Sequence, residues 1–375
     1  MLEKDGSKSA ATLKPFGEFV ESQVSAGSWR EEVVPAAVAG TPRDLVVFRA
    51  ARKANRIKHD WHGDTQTFCP PKWFDLAIGS GACGYGCRFC FLMLTFRAMR
   101  DPMRPLMYDN IDDFEADVRK WLLADTWHTE QEGRRTVRRT PLDALGLGID
   151  CSDSLLYEGV TGHARRYIPL FANPQTNPRR NKMILLTKSA NTHYLEGLPT
   201  DNVAVTFSIN PEREADLWEG KFADTGERIT PPIERRLKAC AEAQGFGFEI
   251  RWRLDPILTP AGWERDYAEF FREAATMGVS PRYITLGTYR GKSSQLDFWR
   301  RAWGLPEPEW EPEELLKDGT HRHLPRERRL EIYRTLIRLI DEAPWRNSPL
   351  VELCKEPHEM RRGVGIVGCN CNCLQ

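Results

Sequence analysis

Residues 79–93 of the chain read GSGACGYGCRFCFLM, and the fold prediction starts from this stretch. Three cysteines, Cys83, Cys87 and Cys90, fall within eight positions and are interleaved with glycines. A closed tetrahedral metal site takes four protein ligands, so this loop is one ligand short of such a site. Glycines let a loop wrap closely and leave backbone N–H groups facing the sulfur atoms.

Three interpretations of the cysteine loop are open from its spacing. The cysteines could be buried structural residues. They could bind zinc, which would need a fourth ligand such as Cys69, Cys369, Cys371 or Cys373. They could instead hold a [4Fe–4S] cluster through three thiolates, so that the fourth iron stays open to a small molecule. The third interpretation requires no further protein ligand.

Composition limits the function classes. The 375 residues carry 53 basic and 53 acidic side chains, so the formal charge of +0 excludes attraction of the whole molecule to nucleic acid. Local basic patches would have to make any such contact. The first twenty residues lack an apolar signal region and no apolar run reaches 18 residues, so we expect no membrane span. Ten cysteines without a secretion signal indicate a reducing compartment, which predicts a cytoplasmic protein.

Short apolar runs alternate with helical patterns from residue 74 onward. The predicted strands cover 74–79, 143–149, 182–187, 203–208, 248–254 and 282–287. The predicted helices cover 113–124, 234–243, 263–276 and 326–343. This alternation predicts an α/β fold with a parallel sheet. Six units favour a partial (β/α)6 TIM-type barrel, although an open doubly wound sheet would also accommodate them.

Polar residues follow all six predicted strands. They lie in the cysteine loop, in DCSDS (150–154), KSAN (188–191), SIN (208–210), RLDP (253–256) and GTYRGK (287–292). Because the carboxyl ends of parallel strands carry the active site in such folds, we expect these residues to share one edge. The sequence thus predicts an N-terminal extension (1–70), a core (71–300) and a C-terminal helical extension with a cysteine-rich tail (301–375). Residues 1–45 are expected to form a loosely ordered arm.

The C-x-x-x-C-x-x-C spacing of Cys83, Cys87 and Cys90, after the first strand of an α/β barrel, resembles the signature of the radical S-adenosylmethionine (SAM) superfamily. The resemblance implies that these cysteines hold a [4Fe–4S] cluster and that SAM chelates the fourth iron. It further implies cleavage of SAM to methionine and a 5′-deoxyadenosyl radical, which abstracts a hydrogen atom from the substrate. The cofactor supplies this chemistry, and the protein orients and shields it.

Within that superfamily, the chain resembles the spore photoproduct lyase family over roughly residues 70 to 300. The segments that carry the resemblance are CSDS, LLTKSAN, FSIN, RWRLDPI, GWERDYAEF and ITLGTYR, in that order. Members of this family bind DNA that contains a thymine dimer and reverse the cross-link by radical chemistry. The resemblance therefore implies a thymine-derived base in DNA as the substrate, and a reductase such as flavodoxin or ferredoxin as the electron donor.

Four residues acquire roles through this resemblance. Cys151 falls where the family places its hydrogen-atom donor, and its S–H bond is weak enough to quench a carbon radical. Ser152, Lys188 and Ser208 match positions that contact SAM. Lys188 could pair with the methionine carboxylate, while the serines offer hydroxyl groups. Each of these residues could also be an ordinary buried or helix-capping residue at a strand end.

The chain departs from the family beside the last cluster cysteine. Family lyases carry tyrosines there that are thought to relay a hydrogen atom to SAM, whereas this chain has Phe89 and Phe91. Phenylalanine has no O–H group, so that relay cannot operate at these positions. A radical SAM isomerase of a hypermodified thymine would need the same cluster and a different quench. A non-catalytic iron–sulfur or zinc protein that binds nucleic acid is the alternative from another class.

Basic segments could form a DNA-facing rim. They are RRTVRR (134–139), HARRYIP (163–169), NPRRNK (177–182) and YRGKSSQLDFWRRAW (289–303). The same mixtures are usual on a solvated protein face.

The tail contains Cys369, Cys371 and Cys373 at alternating positions. Together with Cys354 they could bind a second cluster or a metal ion. A thiol relay and an unstructured reduced tail are the other interpretations.

Overall fold

The computed structural model of the protein describes residues 21–59, 74–80, 83–90, 105–124, 128–132, 135–139, 144–149, 152–292, 310–312, 315–318 and 321–367. The strands are β1 (Arg30–Val34), β2 (Leu45–Ala50), β3 (Ile57–His59), β4 (Phe74–Leu76), β5 (Gly79–Ser80), β6 (Leu106–Tyr108), β7 (His128–Glu132), β8 (Arg135–Arg139), β9 (Leu145–Leu147), β10 (Met183–Thr187), β11 (Val203–Ser208), β12 (Glu249–Ile257), β13 (Tyr283–Thr288), β14 (Arg290–Lys292), β15 (Leu316–Asp318), β16 (His321–His323) and β17 (Leu350–Leu353). The helices are α1 (Ala36–Ala39), α2 (Ile111–Leu123), α3 (Glu158–Thr161), α4 (His163–Ala172), α5 (Glu212–Trp218), α6 (Ile233–Gly245), α7 (Trp263–Thr276), α8 (Arg326–Glu342) and α9 (His358–Gly363). None of the described helices combines the length and apolar character needed to cross a membrane.

The main sheet has eight strands in the order β17-β13-β12-β11-β10-β9-β4-β3. All neighbours pair in parallel except β3, which runs antiparallel to β4. The parallel strands follow one another in chain order, without the reversal that defines a doubly wound sheet. The six predicted strands are all confirmed, and β17 adds a seventh parallel strand that the sequence analysis missed.

Helices pack against one face of this sheet. Alternate residues of the central strands, among them Val205, Trp252 and Ile284, belong to the main apolar core together with helix residues such as Leu237 and Phe270. The rings of Trp252 and Phe270 lie 5.2 Å apart between their centroids. The four predicted helices are confirmed as α2, α6, α7 and α8. Their apolar residues recur at the helical period, which gives each a side that can be buried.

The opposite face of the sheet is polar near the carboxyl ends of the strands. Ser208, Arg253 and Thr285 are register partners on β11, β12 and β13, and Thr285 is in turn the partner of Glu352 on β17. Register partners in a parallel sheet point to the same face. A row of hydrogen-bonding side chains therefore lies on the face away from the main helical core.

The N-terminal region forms a second sheet, in the order β1-β2-β6-β5. The expectation of a loosely ordered arm over 1–45 is therefore wrong for the described residues 21–45. The valines of β1 and β2 alternate inward, and Val34 and Val47 pack in a cluster that also contains Tyr85 and Cys87 of the cysteine loop. The strand β1 was not predicted because it begins with three charged residues, Arg30-Glu31-Glu32, and so lacks a clear apolar alternation in the sequence.

Candidate functional site

The predicted site residues with described positions lie at the carboxyl edge of the main sheet. The cysteine loop follows β4 and β5, Ser152 follows β9, Lys188 follows β10 and Ser208 ends β11. Lys188 and Ser208 are in direct contact: the Lys188 Nζ donates a hydrogen bond to Ser208 Oγ at 2.9 Å. Both residues are only 8% exposed.

Two glycines shape the cysteine loop. Gly84 and Gly86 have φ angles of 81° and 59°, in the left-handed region that favours glycine. A Cβ atom at Gly84 would lie 2.2 Å from the hydroxyl of Tyr157. That hydroxyl donates to the carbonyl of Cys83 at 3.2 Å, so the loop is fixed against α3 and the turn before it.

A short segment, Trp218-Glu219-Gly220, crosses the loop on its other side, and we call it the strap. The backbone N–H of Arg88 donates to the carbonyl of Trp218 at 2.9 Å. A Cβ at Gly220 would lie 1.8 Å from the carbonyl oxygen of Tyr85, so only glycine fits there. The strap therefore lies in direct backbone contact with the loop.

The environment of the sulfur atoms suits an iron–sulfur cluster. The backbone N–H groups of Tyr85 and Gly220 lie close enough to the sulfurs of Cys83 and Cys87, respectively, to lower the pKa of these thiols. Such N–H donors stabilise thiolates that ligate iron. The three thiols are close enough to interact electrostatically with one another. The donor set, the wrapping glycines and the N–H groups thus fit the predicted cluster.

The thiols of the metal-free chain resist ionisation. Burial raises the pKa of Cys87 to about 12, which the Lys188 ammonium opposes in part. Burial and the neighbouring Cys87 and Cys90 raise the pKa of Cys83. In the described part of the chain, no three His, Cys, Asp or Glu side chains are grouped so that they could hold a metal ion. A four-iron cluster does not need its three cysteines to converge on one ion, because each thiolate binds its own iron.

Glu219 of the strap is the main partner of Lys188, and the sequence analysis missed it. Lys188 Nζ lies 2.9 Å from Glu219 Oε1. The same carboxylate pairs with both terminal nitrogens of Arg236 and accepts from the hydroxyl of Thr230. Its role depends on contacts between segments far apart in the chain, so no local pattern could have revealed it.

Asp153 is a second residue that the sequence analysis did not single out. Its carboxylate accepts hydrogen bonds from the backbone N–H of Lys188 at 2.6 Å and from the hydroxyl of Thr187 at 2.7 Å. It also accepts from the N–H groups of Leu155 and Leu156. The carboxylate therefore ties the loop after β9 to the end of β10. An aspartate just before an apolar turn is a common local signal for such bonding.

Phe89 occupies a defined position in the loop. Its ring stacks on Trp218 with 6.4 Å between centroids and 16° between planes. The Lys188 Nζ lies 5.3 Å from the centre of the same ring. Phe89 is thus part of the packing that joins the loop, the strap and Lys188. Phe91, Cys151, Cys69 and the tail cysteines fall outside the described residues.

Cys354 directly follows β17, the edge strand at the end of the main sheet away from β4 and the cysteine loop. It is buried, at 4% exposure, and its sulfur accepts a hydrogen bond from Arg253 Nη2 at 3.0 Å. Arg290 donates to the Cys354 carbonyl at 2.7 Å and to both oxygens of Asp255. The thiol predicted as a tail-associated ligand is therefore engaged by an arginine and aspartate cluster at the strand ends.

The basic segments predicted to form a DNA-facing rim differ in what the structure describes of them. In α4, Arg166 pairs with Asp112 and Glu115, and Arg165 pairs with Glu158, so these guanidinium groups already have acidic partners within the chain. Residues 135–139 form β8 of a two-stranded hairpin. Residues 293–303 of the last segment lie outside the described residues.

The sequential parallel sheet gives the chain a fold similar to that of spore photoproduct lyase. The solved structure of spore photoproduct lyase complexed with dinucleoside spore photoproduct matches with a TM-score of 0.61 at 18% identity, covering 82% of each chain. A tyrosine-to-phenylalanine variant of that enzyme matches with a TM-score of 0.60 at 19% identity over 81% of each chain. A doubly substituted variant with bound AdoMet and dinucleoside spore photoproduct gives 0.61 at 18% identity. No family model matches the chain, and no curated protein resembles it significantly in sequence.

Proposed function

We propose that the protein is a radical SAM enzyme that acts on a thymine-derived lesion or a modified thymine in DNA. The observation that carries the proposal is the loop of Cys83, Cys87 and Cys90 beside the hydrogen-bonded pair Lys188 and Ser208. The fold shared with spore photoproduct lyase supports it. One of the similar solved structures has AdoMet and a dinucleoside spore photoproduct bound.

The proposed roles follow from the chemistry of each side chain. Cys83, Cys87 and Cys90 would hold the [4Fe–4S] cluster, with N–H groups of the loop and strap on the sulfurs. The Lys188 ammonium suits the carboxylate of SAM, and the hydroxyl groups of Ser152 and Ser208 suit its polar groups. When bound, the cluster and SAM would supply a carbon-centred radical that abstracts hydrogen from the substrate.

Cys151 completes the proposal as the donor that quenches the product radical. Its S–H bond breaks as a C–H bond forms, which leaves a thiyl radical on Cys151 that must regain a hydrogen atom before the next turnover. DNA is the proposed partner, and a flavodoxin or ferredoxin reductase is the proposed electron donor. A second cluster or metal at the tail cysteines and a cytoplasmic location stay predictions.

We also propose that the main sheet is a partial TIM-type barrel with extensions at 1–70 and 301–375 around a 71–300 core. The unbroken chain order of its parallel strands supports a barrel-like sheet. Within the described residues its edge strands β17 and β3 do not pair, which agrees with a partial barrel.

Anaerobic reconstitution tests the function. The purified chain is loaded with iron and sulfide, and its absorbance and electron paramagnetic resonance spectra are recorded with and without SAM. We expect a cluster spectrum that SAM perturbs and, with dithionite, formation of 5′-deoxyadenosine. Cys87→Ala serves as the matched control that should lose the cluster. A cluster that never responds to SAM, or bound zinc in its place, would support a non-catalytic nucleic-acid-binding protein.

An isomerase of a hypermodified thymine is the second candidate, and Phe89 is the observation that favours it. The ring contacts both Trp218 and Lys188 and offers no hydroxyl for a relay. DNA containing spore photoproduct and DNA containing 5-substituted thymidine should separate the two activities. In a lyase, Cys151→Ala should divert the product, whereas an isomerase that returns hydrogen from 5′-deoxyadenosine should be indifferent.

A further inference from the structure

The carboxylate of Glu219 is a buried junction beside the cysteine loop. The residue is 1% exposed and lies between Lys188 on one side and Arg236 on the other. Arg236 is itself fully buried, and Arg228 approaches the same carboxylate to 3.9 Å. Three cations therefore share one anion, with Thr230 donating a fourth contact.

This arrangement fixes the Lys188 side chain in one place. The ammonium lies 2.9 Å from both Glu219 Oε1 and Ser208 Oγ, so two acceptors from different segments determine its position. A lysine side chain has four rotatable bonds and loses considerable entropy when it is held. Without Glu219, the positive charge of Arg236 would repel Lys188 from this place.

The backbone of the same segment reaches the cluster loop. The N–H of Gly220, the next residue, lies close enough to the sulfur of Cys87 to lower the pKa of that thiol, and the carbonyl of Trp218, the preceding residue, accepts from the N–H of Arg88. Anchoring of Glu219 on Arg236 thus also fixes the N–H donor at Cys87. Hydrogen bonds to the sulfurs and nearby charge set the reduction potential of an iron–sulfur cluster.

Stability alone is a weak explanation for so many buried charges. Taking ions out of water costs several kcal/mol each, and replacing buried ion pairs with apolar residues is often neutral or stabilising. The network is better explained by the fixed positions that it gives to Lys188 and to the strap.

We propose that Glu219 is a positioning residue, which holds the Lys188 ammonium for the carboxylate of SAM and places one buried negative charge beside the Cys87 ligand. This inference rests on the proposed radical SAM function, and it assigns Glu219 two measurable effects. One is on the affinity for SAM, through Lys188. The other is on the midpoint potential of the cluster, through the negative charge of Glu219.

The test compares reconstituted wild-type protein with Glu219→Gln and Glu219→Asp. Gln removes the negative charge, so the cluster potential should become less negative, and SAM should bind about tenfold more weakly as Lys188 is released. Asp keeps the charge but is one methylene shorter. It should leave the potential near the wild-type value while still weakening SAM binding.

Thr230→Val is the matched control, because it removes a hydrogen bond to Glu219 without changing any charge and should leave the potential unchanged. An unshifted potential in Glu219→Gln, or wild-type SAM affinity in Glu219→Asp, would overturn the inference. If Glu219→Gln does not fold, the Asp variant alone decides. A wild-type protein that forms no SAM-responsive cluster would instead contradict the proposed function.

Discussion

Phe89 contributes to the cysteine loop through the packing of its ring. Its ring lies against Trp218 and beneath the Lys188 ammonium, so it joins the cysteine loop to the strap through apolar and cation–π contact. A tyrosine ring would make the same contacts and add a hydroxyl. Phe89 has no such hydroxyl, and what the structure shows for it is packing.

We therefore predict that Phe89→Ala lowers the free energy of unfolding of the metal-free protein by about 2 kcal/mol, since a half-buried aromatic ring is lost. Urea denaturation followed by circular dichroism measures this change. Phe89→Tyr is the control, and it should stay within about 0.5 kcal/mol of wild type. Equal destabilisation by both substitutions would contradict the packing role.

Glu214 is a buried carboxyl on α5 that faces Asp266 of α7. Burial raises its pKa to about 7, and the negative charge of Asp266 adds to the effect against the weaker influence of Arg213. The folded state therefore favours the protonated form. Stability from this group is present below the ordinary pKa of a glutamate and is lost as the pH rises through 7.

Accordingly, Glu214→Gln should abolish this pH dependence and be more stable than wild type by about 3 kcal/mol at pH 8.5, with little difference at pH 4. The measurement is the urea midpoint of both proteins across this range. A stability difference that is constant with pH would show that Glu214 is not protonated in the fold.

At the scale of elements, the N-terminal segment docks on the core through Asn191. Its side-chain amide donates to the carbonyls of Val38, Leu155 and Leu156, at distances of 3.1 to 3.2 Å. A Cβ at Gly40 would lie 2.5 Å from the Asn191 oxygen, so the segment after α1 passes very close to this side chain. One buried amide thus links the second sheet to the turn that precedes α3.

We predict that Asn191→Ala loosens this docking and costs about 2 kcal/mol, because buried carbonyl groups lose their donor. Amide hydrogen exchange should speed up in β1 and β2 while β10 to β13 keep their protection. Asn177→Ala is the matched control, since Asn177 is an equally buried amide that donates to the carbonyls of Phe171 and Asn181, away from the N-terminal segment. Uniform acceleration across all strands would argue against a local link.

The elements also show what the sequence could reveal. The four helices were predictable because each buries one side at the helical period. The six strands were predictable as short runs rich in apolar and β-branched residues, such as VAVTFS of β11, which is buried throughout. The strand β17 escaped prediction because four residues, partly exposed, give too short a pattern. The cysteine loop was recognisable from local spacing. The roles of Glu219 and Asn191 were not, because they arise from contacts with distant segments, and Asp153 showed only the part of its role that its local bonds to Leu155 and Leu156 make.

At the scale of the whole molecule, the main apolar core draws residues from the N-terminal and C-terminal regions as well as from the main sheet. The main apolar cluster includes Phe48 of β2, Trp252 of β12, Leu336 of α8 and Met360 of α9. The strand β17, which follows α8, pairs with β13 in the main sheet. Segments assigned from the sequence to extensions thus contribute to the same interior as the predicted core.

We therefore predict that the metal-free protein unfolds in a single thermal transition, with equal calorimetric and van't Hoff enthalpies. Independent extensions would unfold apart from the core, but here removal of β17 and α8 would expose apolar residues of β13 and α7. Differential scanning calorimetry provides the measurement, and Leu336→Ala provides the local perturbation. Because Leu336 lies in the shared core, its substitution should lower the one transition as a whole rather than split it, by the several degrees that correspond to about 3 kcal/mol. Two resolved transitions, with only one of them sensitive to Leu336→Ala, would show that the C-terminal region folds as a unit of its own.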